Sequence, residues 1–505
     1  MADSWLEAAL PLDRPEYSKQ TEALLTDLLW RSEGSTLSEV ATQLAGLETT
    51  TKQKLERVVF EKIGKASPAV LESIPFAREA DISSIVAGPR AKECLAALLF
   101  GLRAPRSRAY KSLSAVPVHP ELVALQTLHG IVNKENPANL AKIIERFGLL
   151  GGSDGVGAVA RQFLAGFEAQ PTAQRGLAGA AGAIYTSISS AVWEQLRTLA
   201  AASGKPLPEW PTVRPRQHEA AVTFPHVAAL PRTPFKWFWA KWVILCDRER
   251  GWLDHLPERR WVDWSLALLR GALAFGYLWE AEWYVRIYDR LVERRRGLEQ
   301  GPEREKLLGL LNGQFTLAVV HPRQLAPSQK RMWSALADNV ARGYEVRRRL
   351  IAFFVNNPTN QPQDGDPRTT VPEWIDALSI EDLATLGDSL SITASTATNT
   401  KEFIRYLMLQ RSADDDSSDQ ADLYYLARSQ QSHFWVELGP EWLVVETALL
   451  AGRPGKSCTL RMLMDDLSSL GILIDRSTLV GLLEDTGLSA DSPDADDALV
   501  IESGF

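Results

Sequence analysis

Residues 234–246 read PFKWFWAKWVILC, aromatic rings interleaved with Lys236 and Lys241. Such a stretch suits a nucleic-acid stacking platform, a membrane anchor or the middle of a core. A membrane span needs about 20 apolar residues in a row, and this one is short and carries two lysines. The next apolar run, LALLRGALAFGYLW at 266–279, has Arg270 near its middle and meets Glu280 and Glu282 directly after it. It reads as a buried helix. Eight of the 16 tryptophans lie between Trp237 and Trp283, so the fold turns on where these rings point. On a helix Phe235, Phe238, Trp239, Trp242 and Cys246 share one face, and Trp237 and Ile244 lie round the other side beside Lys241. Trp261, Trp264, Leu268, Phe275, Leu278 and Trp279 form a second helical stripe, which Trp283, Ile287 and Leu291 extend. Stacking a base on a ring is worth about 1–3 kcal/mol, and burying the ring in a core is worth a similar amount. Energy does not choose between them, but helical spacing favours a core. In that reading the lysines lay their stems over apolar surface and keep their ammonium groups in water.

The rest of the composition is that of a multi-domain globular chain. At 505 residues, 45% hydrophobic and 23% charged, it exceeds what one core usually organises. Cys94, Cys246 and Cys458 are far apart and form no CxxC pair, which fits a reducing, cytoplasmic setting and argues against a disulfide framework. The N-terminus, MADSWLEAALPLDRPEY, has acidic residues where a signal peptide needs basic ones. Charge is unevenly spread: residues 232–350 hold 22 Lys/Arg against 14 Asp/Glu, a net of +8, and residues 357–505 hold 9 against 26, a net of −17. The asymmetry implies either that the basic middle meets an acidic partner such as nucleic acid, or that the acidic end docks on a basic surface.

Helical periodicity dominates, at 22–32, 36–47, 50–64, 91–102, 120–132, 137–150 and 188–202, and strand alternation is scarce. The predicted class is mainly α, a multi-domain helical protein with small winged-helix-like units near both termini. The divisions are an N-terminal unit at 1–66, a helical domain at 67–203 and a proline-rich connector at 204–234. They continue as a tryptophan-rich domain at 235–355, a linker at 356–372, a helical segment with an acidic loop at 373–438, and an acidic unit at 439–505.

Local signals are sharpest at the C-terminus. In GPEWLVVETALLAG (439–452) Pro440 sits in the first turn and Gly452 stops the helix. Thr459 caps LRMLMDDLSSL, which ends at Gly471; Asp475 caps RSTLVGLLEDT, which ends at Gly487; and LSADSPDADDALVIESGF supplies a strand, a turn and a strand. Three helices and a hairpin in this order resemble winged helix-turn-helix domains. Residues 21–65 have a related pattern, with Lys52, Lys54, Arg57, Lys62 and Lys65 on the third helix, a set able to lie against phosphates. Lys236, Lys241, Arg294, Arg295 and Arg296 join them as candidate nucleic-acid contacts. The C-terminal wing instead carries Asp491, Asp494, Asp496 and Asp497, which repel phosphate and point to a protein partner. In overall style, helical with such units at both ends, the chain is similar to accessory proteins of bacterial phage-defence or DNA-modification systems.

Catalytic signatures are weak. AGRPGKS (451–457) ends like a phosphate-binding loop, but its first glycine position is Leu450 and it follows a helix. GSDGVGAVA (152–160) contains a GxGxxA string with no βαβ pattern around it, and close helix packing or a connector suits it better. The seven histidines show no metal-ligand spacing. The carboxylate pairs Glu280 with Glu282 and Asp465 with Asp466 read as solvated faces or ion-pair partners. No catalytic residue, metal or cofactor is therefore assigned. The expected role is a non-catalytic scaffold or adaptor of a complex acting on nucleic acid, with protein partners and no membrane. A DNA-binding regulator acting through residues 50–65 is the alternative, and an enzyme of unrecognised type a third.

Overall fold

The computed structural model describes Leu28 and residues 137–155, 157–169, 230–320, 333–356, 367–389, 403–405, 407–409, 423–430, 433–488 and 500–502. The N-terminal unit with Lys52, Lys54, Arg57, Lys62 and Lys65, the 411–422 acidic loop, and the wing residues Asp491, Asp494, Asp496 and Asp497 lie outside them. So do the expected helices other than 137–150, apart from Leu28.

Most of what is described is helix. Two helices, α1 (Pro137–Leu150) and α2 (Ala158–Ala169), precede α3 (Pro234–Cys246), a one-turn α4 (Trp252–His255), and α5 (Glu258–Arg295). Helices α6 (Pro302–Leu311), α7 (Trp333–Asn356), α8 (Pro367–Ala377) and α9 (Ile380–Ser389) follow, then α10 (Pro440–Ala451), α11 (Leu460–Ser469) and α12 (Arg476–Thr486). Part of the expected 356–372 linker is thus the start of α8, which contains Pro372.

α3 begins as its sequence dictates. Thr233 accepts a hydrogen bond from the Lys236 amide and Pro234 occupies the first turn, where its missing N–H costs nothing. The helix is buried nearly all round, between α1 and α2 on one side and α5, α10 and α11 on the others. Seven of the eight clustered tryptophans are buried and Trp239 is half-buried, so the rings are core. Phe163 stacks on both Trp242 and Trp261, at centroid distances of 5.8 and 5.0 Å, and Trp279 stacks on Trp283 at 6.0 Å. Two of these indole N–H groups donate to backbone carbonyls within the core, Trp242 to that of Val159 and Trp261 to that of Leu245. Each ring pair adds about 0.5–1.5 kcal/mol beyond area burial.

α5 has 38 residues and runs about 57 Å at the α-helical rise. Gly271 and Gly276 lie inside it, where glycine normally costs about 1 kcal/mol relative to alanine. Each is paired with a ring. A Cβ at Gly276 would stand 2.6 Å from Phe147, and one at Gly271 would stand 3.0 Å from Trp237. Arg270, half-way along the apolar run, is buried and donates to the Leu407 and Leu409 carbonyls.

Strands are short. β1 (Ala318–Val320) pairs in parallel with β5 (Ile472–Ile474), β2 (Ala427–Gln430) with β3 (His433–Val436) as a hairpin, and β4 (Ser457–Thr459) antiparallel with β6 (Val500–Glu502). One continuous cluster of buried side chains runs from α1 through α5 and α7 to α12 and β6. Residues 439–488 are packed onto the tryptophan-rich body, not separated from it.

Candidate functional site

The most unusual chemistry in the described residues lies where α3 meets α10 and α11. Trp237 and Lys241 are one helical turn apart, so both side chains leave the same face of α3. Across from them Glu446 projects from α10 and Asp466 from α11. The Lys241 ammonium lies 3.1 Å from Glu446 Oε1 and 2.7 Å from Asp466 Oδ2, and Trp237 Nε1 donates to Glu446 Oε1 at 2.9 Å. The Lys241 and Glu446 side chains are 5% and 1% exposed. Lys241 is therefore a correction to the sequence reading: its ammonium is not in water and no phosphate reaches it. Asp466 is likewise drawn into the junction, although Asp465 beside it is exposed.

Two carboxyl groups face one cation, and the proton balance follows. Burial pushes the Glu446 carboxyl well above its ordinary range, with Asp466 adding to the rise and Lys241 opposing it. Asp466 is held below its ordinary value: burial works against this, but Lys241 and a hydrogen bond from Glu446 outweigh it. Lys241 is likewise raised, since the pull of Asp466 and Glu446 exceeds the effect of burial. Among the described residues Glu446 Oε2 has no hydrogen-bond partner. The rise favours the neutral form of Glu446, and an ammonium, a carboxylate and a neutral acid together would carry no net charge. The Cys458 thiol of β4, close by, is pushed up to about 11 by burial and then by the carboxylates, with Lys241 opposing. A lysine among carboxylates could move protons in an open cleft. Enclosed as it is, this one fixes α10 and α11 on α3.

A second charged junction joins the end of α5 to α6 and α8. The Arg290 side chain, 1% exposed, donates to Glu293, Asp376 and the carbonyls of Leu298 and Glu299. Arg304 bonds the other Asp376 oxygen at 2.8 Å and Arg294 bonds the Asp376 carbonyl at 2.9 Å. Arg294, expected on a nucleic-acid surface, is thus committed internally, while Lys236, Arg295 and Arg296 are exposed. Nothing in the fold draws these cations into one site.

Glu280 is not solvated but fully buried, near Tyr277, Tyr284 and Tyr344, whose own phenol is pushed well above its ordinary value by burial and then by these neighbours. Glu282 does pair, with Arg286. The GxGxxA string opens α2, and the N-terminal amides a dinucleotide phosphate would use are taken. Glu145 of α1 accepts from Gly157 N at 2.8 Å, Val159 N at 3.2 Å and Ala160 N at 2.8 Å. The AGRPGKS stretch runs from helix α10 to strand β4, the reverse of the order a phosphate loop needs. Among the described residues no three His, Cys, Asp or Glu side chains form a metal-holding group, and no helix is long and apolar enough to cross a membrane. No family model, curated protein or solved structure matches this chain.

Proposed function

We propose that the chain is a non-catalytic scaffold or adaptor subunit of a bacterial multi-protein complex acting on nucleic acid, whose C-terminal residues form a winged-helix-like unit that engages a protein partner. The observation that carries this reading is the Lys241–Glu446–Asp466 junction, a buried ionic contact between the tryptophan core and that unit. Ionic contacts of this kind add little net stability over apolar packing, but separating the partners leaves an uncompensated buried charge, which suits a part whose task is to hold a surface in a fixed orientation. The order helix α10, strand β4, helix α11, strand β5, helix α12, then strand β6 returning to pair with β4 supports the winged-helix reading, β5 pairing instead with β1. A place in phage defence or DNA modification follows from the overall resemblance described above.

The test is to purify a tagged full-length chain from its native host with and without nuclease. The adaptor reading predicts a protein partner at fixed stoichiometry that survives nuclease treatment. A chain that purifies alone, yet binds DNA with an affinity falling steeply with salt and with Lys52→Ala and Arg57→Ala, would establish the regulator instead.

A further inference from the structure

We draw no further inference here: the strongest candidate, the small groove between the first turn of α10 and the last turn of α12 with Leu438, Pro440, Leu443 and Leu482 in its lining, is an unpartnered apolar face, and nothing in the structure shows what covers it.

Discussion

The two buried cationic junctions solve the same problem by different chemistry. At the α5–α8 junction a planar guanidinium spreads five donors over two carboxylates and two carbonyls, and Arg304 supplies a second cation. Three arginines meet two carboxylates there, so no added proton is needed, and Asp376 is held below its ordinary value, burial being outweighed by the hydrogen bonds of Arg290 and Arg304. At the α3–α10–α11 junction a single ammonium faces two carboxyl groups, and neutrality needs a proton on Glu446. The arginine junction should therefore be less sensitive to rising pH than the lysine junction, where a raised carboxyl sits.

The sharpest way to break this contrast is Lys241→Ala. Removing the cation leaves Asp466 ionised in a closed interface, and urea unfolding should show a loss of about 3–5 kcal/mol; a loss below about 1 kcal/mol would mean that water already reaches the junction. Arg290→Lys comes next. The point charge cannot reproduce the fork of hydrogen bonds, and the expected cost is about 2–3 kcal/mol by the same measurement.

Glu446→Gln sharpens the comparison by pH. A carboxyl whose folded value is raised contributes stability that is complete below its ordinary value and is lost as pH rises through the raised one. Wild type should accordingly lose melting temperature as pH rises above the ordinary carboxyl range, and Glu446→Gln, which has no proton to lose there, should flatten that slope. Asp466 acts in the opposite sense: its lowered value means stability lost as pH falls through it, which places the optimum between the two. Parallel slopes in wild type and variant would refute the raised carboxyl. The smallest effect is expected outside both junctions. Asp475 caps α12 through Thr478 N and the Ser477 and Thr478 hydroxyls, which hold it at about 2. Asp475→Ala should cost about 1 kcal/mol, with the loss setting in only at strongly acid pH in wild type.

How far the sequence foretold these features depends on the range of the signals. The boundaries of α10, α11 and α12 were legible nearly to the residue, because Pro440, Gly452, Thr459, Asp475 and Gly487 act on the backbone within a turn of themselves. The inward tryptophans were legible from helical spacing. The lysine junction was not, since its acceptors lie more than 200 residues from Lys241 and nothing at position 241 distinguishes it from Lys236, which is exposed. Pairing of β4 with β6 and of β1 with β5 was equally hidden: three-residue strands are too short for alternation to show. A buried Glu280 amid tyrosines on two helices could be read only once α5 and α7 were seen side by side.

The carboxylate of Glu145 at the start of α2 has a consequence for ligand searches. It is a tethered counter-ion already seated on the amides that a free anion would need, and its effective concentration there is that of a covalently attached group. Inorganic phosphate or a nucleotide added in solution must evict it before binding, so the glycine-rich turn behaves as a self-sealed socket and its backbone amide resonances should stay unmoved across a phosphate titration.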